Sequence, residues 1–362
     1  MLMHIGIIHG FVGGGGGTEK TLHAIIDALE NSPYIVTLYT FSKPKLNLKK
    51  IKIKTILPIT IRFFGLYQRI MESKLIEKAK DEDILIQVSG GLGTPLVPNQ
   101  KIIVYCHNDF SNDLENPSTK YTGVWSFYYK FYHKMMKHFL KNLSNPQIFL
   151  ISNSEFVHNS IKSNYAKDSK IIYPPVNISE FSIQSKQIQI VSIGRFSEEK
   201  NFKFGVEVMS QIDSPYYIIG NTKTKSNIFY YEKLESKIKQ FNLESKVKLL
   251  KNIDRNDLIT YLNDSKVYFH CSNETFGISV VESIAAGCIP IVPNSSAHKE
   301  TVPFAELRYN ENDLDDAKNK VERAINGEFD HLLKPLQDSI KKFSTQQFQQ
   351  SFLSLIEGLT KV

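Results

Sequence analysis

The chain has 362 residues, 41% of them hydrophobic and 22% charged, which excludes a disordered chain and leaves room for two ordinary domains. Three cysteines, an odd number without close spacing, exclude a disulfide scaffold and a four-cysteine zinc site. The formal charge of +7 sits wholly in residues 1–182, where 21 Lys and Arg face 14 Asp and Glu, against 23 and 23 in the remainder.

A large anionic partner is therefore expected to meet the first half. Nucleic acid is not expected, because no helix-turn-helix, zinc-finger or RNA-binding signature accompanies the charge. The longest mostly apolar run, residues 278–293, holds Glu282 and two prolines, which predicts no membrane-spanning helix. The N-terminus lacks the pattern of a secretory signal. A soluble, cytosolic protein is the expectation.

Short β-rich runs fall at residues 4–9, 84–88, 102–106 and 148–153, and again at 189–193, 216–219, 266–271 and 289–293. Between them apolar residues recur at helical spacing, as Leu22, Ile25, Ile26 and Leu29 do. This alternation predicts an α/β chain with parallel sheets flanked by helices, and it starts twice, at Met3 and near Gln187. Residues 173–184 carry Pro174-Pro175 and little periodicity, which marks the linker. The expected architecture is two doubly wound domains, residues 1–178 and 183–344, facing one cleft. Ligands in such sheets sit beyond the carboxyl ends of the strands.

The first strand leads into Gly13-Gly14-Gly15-Gly16-Gly17 and then a helix-like segment. Successive glycines let backbone N–H groups approach an anion, and the helix start adds partial positive charge. A dinucleotide fingerprint would need a further glycine where Thr18, Glu19 or Lys20 stands. A P-loop ahead of Lys20-Thr21 would need glycine in place of Glu19. A ligand-binding loop and a plain flexible turn remain.

Lys43, Lys45, Lys49, Lys50, Lys52 and Lys54, followed by the apolar residues 56–64, form a basic-apolar stretch. Asp81-Glu82-Asp83 has the spacing of a metal-binding pair but lies at the amino end of a strand, which favours a solvated acidic loop. His107 follows the strand 102–106. Residues 121–143 read as a helix with Trp125, Tyr128, Tyr132, Met135, Phe139 and Leu143 on one stripe and Lys130, Lys134, Lys137 and Lys141 on another. Such a helix is either a domain helix with a basic outer face or one lying on an anionic lipid surface, aromatic side inward.

In the second half, strand 189–193 ends in Gly194-Arg195, with Lys200-Asn201 a short loop later. Arg195 and Lys200 can hold a diphosphate between a planar fork and a point charge. Alternatively they pair with Glu198 and Glu199 on the surface. Lys251-Asn252-Ile253 is a candidate base contact. After strand 266–271 come Glu274 in a loop and Glu282 in a helix beginning near Gly277. Two carboxylates can accept hydrogen bonds from vicinal sugar hydroxyls. A glycosidase also uses two, but without need of a glycine run and a cation pair. One exposed and one structural glutamate is the bland alternative. Asn273-Glu274-Thr275 is a glycosylation sequon, and a glycan there would block such a site, which favours the cytosol.

The glycines leading to Lys20, Gly194-Arg195 with Lys200-Asn201, and Glu274 followed by Glu282 resemble, in this order, the family-4 retaining glycosyltransferases of the GT-B fold. Ile151-Ser152-Asn153-Ser154-Glu155-Phe156-Val157 and Ile171-Ile172-Tyr173-Pro174-Pro175-Val176 look like the dolichol-pathway mannosyltransferases of that family. The likeness is weakest in residues 43–80 and after 310, and Thr18 stands where the family has alanine.

The resemblance implies a metal-independent hexosyltransferase that uses a nucleotide sugar, GDP-mannose or UDP-glucose. The acceptor would be lipid-linked or another glycan, at the cytosolic membrane face. Arg195 and Lys200 would neutralise the donor diphosphate, Glu282 would hold the ribose and Glu274 the sugar hydroxyls. Backbone N–H groups of Phe276, Gly277 and Ile278 would lie near phosphate and sugar. Gly15, Gly16 and Gly17 would approach the diphosphate, and His107 the reacting carbon. Residues 345–362 would form a helix returning to the first domain. A nucleotide-sugar epimerase, a phosphorylase and a non-catalytic sugar- or lipid-binding protein on the same scaffold are the competing readings.

Overall fold

A computed structural model describes all residues except 1, 14–15, 45, 47, 59–64, 89–92, 111–122 and 361–362. The chain divides into two compact units, residues 1–175 with 346–362, and residues 176–345.

The first unit is built on seven parallel strands: β1 (His4–Ile8), β2 (Ile35–Thr40), β3 (Lys52–Thr55), β4 (Ile84–Gln87), β5 (Lys101–Cys106), β6 (Ile148–Ser152) and β7 (Lys170–Ile171). Their order is β3-β2-β1-β4-β5-β6-β7. Period-two alternation places successive side chains on opposite faces, and both faces are apolar. Ile103 and Tyr105 of β5 join one core, Ile102, Val104 and Cys106 the other. A parallel sheet buried on both sides gives such strands. Helix Gly17–Glu30 covers the first face with Leu22, Ile25, Ile26 and Leu29. Helix Thr345–Thr360 joins it there through Phe348, Phe352 and Ile356, one helical turn apart, and Lys101 Nζ donates to the Leu359 carbonyl at 2.6 Å. Leu75 and Ile76 of helix Gly65–Lys78 pack on the other face with Leu140 of helix Gly123–Lys141.

The second unit carries β8 (Gln187–Ile193), β9 (Tyr216–Gly220), β10 (Val247–Lys251), β11 (Ser265–Phe269), β12 (Ile289–Pro293) and β13 (Arg308–Tyr309) in the order β10-β9-β8-β11-β12-β13, all parallel. Each unit is thus a Rossmann-like doubly wound domain, as the GT-B class requires. Val176 and Ser344 form a parallel bridge, and Thr345 N donates to the Val176 carbonyl at 3.1 Å, so the two chain segments at the division run side by side.

Three sequence expectations change. Part of the basic-apolar stretch is the edge strand β3, with Ile51 and Ile53 packed on the core beside it and Lys52 exposed, a pattern that discourages further strand pairing. Residues 59–64 of that stretch lie outside the described residues. Asp81-Glu82-Asp83 is not a solvated loop throughout. Glu82 is buried and accepts from Tyr39 Oη at 2.6 Å, and Asp83 Oδ2 accepts from His4 N at 2.8 Å, which ties the segment before β4 to β2 and β1. In helix Gly123–Lys141 the outward face carries Phe127 and Phe131, 78% and 56% exposed, among Lys130, Lys134, Lys137 and Lys141. Tyr128 and Tyr132 are half-buried, and the side chains of Trp125, Met135 and Phe139 lie outside the described residues. Among the described residues no helix is long and apolar enough to cross a membrane.

Candidate functional site

The second sheet reverses its direction of growth between β8 and β11. The loops leaving these strands, residues 194–201 and 270–278, therefore flank the crevice where open α/β sheets hold ligands. β8 ends at Ile193, Gly194 follows, and the 3-10 turn Glu198–Lys200 brings the chain back, closed by Asn201 at φ 49°. A Cβ on residue 194 would stand 3.3 Å from Lys200 Cγ and 3.1 Å from the Phe202 ring, so glycine lets the lysine stem lie over the strand end.

Lys200 and Glu274, 74 residues apart in sequence, meet there in an ion pair with side chains only 17% and 19% exposed. His270 Nε2 lies 3.3 Å from the same Glu274 oxygen. Tyr268 Oη is 3.1 Å from His270 Nδ1 and donates to Ser279 Oγ at 2.8 Å. The Glu274 backbone is fixed as well, its N–H donating to Ser296 Oγ at 3.2 Å and its carbonyl accepting from Ala297 N at 3.2 Å. Burial alone would raise the Glu274 pKa. The His270 hydrogen bond and the Lys200 charge outweigh it and hold the carboxyl well below the usual range. Beside this group, burial pushes His298 down to about 3, and its Nε2–H donates to the Ser272 carbonyl at 2.9 Å.

Helix Ile278–Ala285 starts after Gly277, whose φ of 87° suits glycine, and no side chain caps it. Its first N–H groups are therefore available to an anion next to Glu274. Ile278 is half-buried, while the Phe276 side chain is core, edge-on to Phe343 at 5.1 Å.

The other predicted residues of this unit separate into two groups. Arg195 is exposed and pairs with Glu199. Glu282, 4% exposed, accepts from Arg255 Nη2 at 2.8 Å, and the same nitrogen donates to Glu180 at 2.6 Å. Arg255 opens helix Arg255–Asp264 two residues after Ile253, with Asp254 as its cap. Arg255 thus links the candidate base-contact loop to the candidate ribose carboxylate. Neither Arg255 nor His270 was singled out from sequence. His270 stands four residues before Glu274 at a strand end, a spacing that could have flagged it. Nothing local ties Arg255 to a glutamate 27 positions later.

In the first unit the sheet reverses between β1 and β4. After β1, Glu19 Oε1 accepts from Gly13 N at 2.6 Å, and Gly16, at φ 137°, precedes the helix that opens at Gly17 without a side-chain cap. Gly15 lies outside the described residues. His107, after β5, donates from Nε2 to the Val88 carbonyl at 2.9 Å, leaving Nδ1 as an acceptor. Burial pushes both His107 and His9 down to about 4, so both rings are neutral near pH 7. Asn153 of the motif beginning at Ile151 donates to the His107 carbonyl at 3.2 Å.

Residues 176–346 match the family described as Glycosyl transferases group 1. That match, a little under half of the chain, coincides with the second unit. The GDP-Man:Man(3)GlcNAc(2)-PP-Dol alpha-1,2-mannosyltransferase of Dictyostelium discoideum is 24% identical over 69% of this chain and 54% of its own length. The tRNA-queuosine alpha-mannosyltransferase of Drosophila melanogaster is 26% identical over 48% of this chain and 49% of its own. The chain spans about half the length of the curated relatives it matches. Among solved structures, sucrose-phosphate synthase from Thermosynechococcus elongatus superposes with a TM-score of 0.81 at 16% identity, covering 99% of both chains. At that identity the likeness shows the fold, which is the GT-B class of two Rossmann-like domains.

Proposed function

We propose that this chain is a retaining hexosyltransferase. It moves a hexose from a nucleotide sugar, GDP-mannose before UDP-glucose, to a lipid-linked or other glycan acceptor at the cytosolic membrane face. The observation that carries this reading is the Lys200–Glu274 pair at the switch point, beside an uncapped helix start. Lys200 and the N–H groups following Gly277 neutralise the donor's diphosphate, Arg195 reaching it from the exposed turn. Glu274, kept ionised, accepts from the sugar hydroxyls, and Glu282 from the ribose.

The bond between the sugar's anomeric carbon and the leaving phosphate oxygen breaks with its electrons passing to the diphosphate. Positive charge grows on carbon and negative charge on phosphate, and the preplaced cation and dipoles stabilise the latter. The acceptor hydroxyl forms the new bond on the same face, and its proton passes to a phosphate oxygen. No metal and no protein nucleophile enter.

Thermal denaturation against GDP, UDP, ADP and their sugars tests the donor. At one hundred times its Kd the true donor adds about 2.7 kcal/mol of stability, and GDP-mannose is expected to give the largest rise. Absence of any rise with every nucleotide sugar removes the reading. Release of free sugar, or its phosphorolysis, in place of transfer would point to the epimerase or phosphorylase chemistries.

The membrane contact rests on helix Gly123–Lys141. Its outward face interleaves two exposed phenylalanines with four lysines, and among the described residues none of these lysines has a carboxylate partner. Each lysine near an anionic leaflet contributes about 1 kcal/mol, and the rings enter the interface. Sedimentation is expected to show salt-sensitive binding to anionic but not neutral liposomes, weakened in the Phe127→Ser, Phe131→Ser double variant. Equal, salt-insensitive partitioning would refute the contact.

A further inference from the structure

Beyond the carboxyl ends of β11, β12 and β13, on the side of the second sheet away from β9 and β10, lies a cavity of about 210 Å³. Its polar rim consists of Glu199, Asn201, Ser272, Asn273, Glu311 and Asn312. Phe204 and Tyr309, stacked at 5.7 Å and 14°, supply the apolar floor. The two walls are continuous with the Lys200–Glu274 pair. Glu199 and Asn201 flank the lysine, and Ser272 and Asn273 immediately precede the glutamate.

The lining has a definite chemistry. Three carboxamides, two carboxylates and a hydroxyl present donors and acceptors together, the set that vicinal sugar hydroxyls require. Anionic ligands are disfavoured, because Glu311 brings negative charge and the Glu199 carboxylate already holds Arg195. A metal is disfavoured too, since among the described residues no three His, Cys, Asp or Glu side chains group to hold one. The volume falls below that of pockets for drug-sized ligands and suits a single ring.

Two of the carboxamides stand on left-handed backbone, Asn201 at φ 49° and Asn312 at φ 61°. Neither side chain has a hydrogen-bond partner among the described residues. Asn273 is aligned by Glu311, to which its Nδ2 donates at 2.6 Å, and by Ser295. Asparagine is among the residues that adopt this region readily.

We propose that this cavity is a carbohydrate subsite that takes one uncharged hexose ring of a glycan. The adjoining Glu274 site rests on the donor reading; the cavity's own chemistry does not.

The test is saturation-transfer NMR on the full chain with methyl α-mannopyranoside and methyl α-glucopyranoside, alongside GDP titration. Glycoside binding is expected to persist when GDP-mannose is saturating and in Lys200→Ala. In the Asn201→Gly, Asn312→Gly double variant, which keeps the left-handed backbone and deletes both carboxamides, glycoside Kd should rise about tenfold or more. GDP affinity should stay within about twofold, which also shows that the variant is folded. The proposal is overturned if neither glycoside binds, if GDP-mannose displaces it, or if the double variant binds it as the parent does. Failure of GDP to bind would instead strike the donor reading and leave the glycoside result to stand by itself.

Discussion

Lys200→Ala is expected to slow sugar transfer by about 10²- to 10³-fold, the usual loss when one preplaced group that stabilises developing negative charge is removed. The ammonium sits on a short turn whose path depends on Gly194, and it is more than four-fifths buried, so solvent screens it little. Removing it also changes Glu274. That carboxyl is kept far below the usual carboxylate range against its own burial by His270 and Lys200. A group whose folded pKa is depressed adds stability that is complete above its unfolded value and disappears as pH falls through the folded one. In the parent this loss is therefore confined to strongly acid pH. In Lys200→Ala it should begin at higher pH, because His270 alone opposes the burial. Initial rates with saturating GDP-mannose and acid denaturation curves measure the two effects separately. Transfer within about threefold of the parent would remove the phosphate role from Lys200. An unchanged acid midpoint would remove its hold on Glu274.

Arg255→Ala is expected to destabilise the chain by about 2–3 kcal/mol, below the range for fully buried pairs because the guanidinium is 36% exposed. The Glu282 carboxylate, almost wholly buried on helix Ile278–Ala285, loses the cation that holds Oε1, and Glu180 loses the same partner. Adding Glu282→Gln should restore much of the loss, since a neutral amide of the same shape needs no countercharge. Nucleotide affinity should stay weakened in both variants, because the group offered to the ribose is displaced or altered. Urea unfolding of the single and double variants, with nucleotide titration beside it, resolves this. If Arg255→Ala is as stable as the parent, the pair is no more than a surface contact.

Much of the fold was legible in the sequence because it depends on local pattern. Apolar runs bounded by loops, alternating with segments such as Leu22, Ile25, Ile26 and Leu29, specify parallel sheets under helices wherever they occur. β2 was missed although its run of apolar and β-branched residues is a strong local signal, and four strands whose signal is weak were missed as well. β3 reads as lysines alternating with isoleucines, β10 mixes lysine with leucine, and β7 and β13 are two residues long. Only their sheet neighbours make them strands.

That Arg195, Lys200, Glu274 and His107 follow strands at their carboxyl ends was set by local pattern, because strand direction and chain order fix which loop a residue occupies. Tertiary structure decided which charges meet: Lys200 with Glu274, Arg195 with Glu199, and Glu282 with an arginine that no motif marked. It also decided that Phe127 and Phe131 face outward among the lysines, and that a polar cavity opens beside Glu274. Coulomb and hydrogen-bond energies depend on separations in space, and loops 74 or 27 residues apart acquire such separations only when the sheet is assembled.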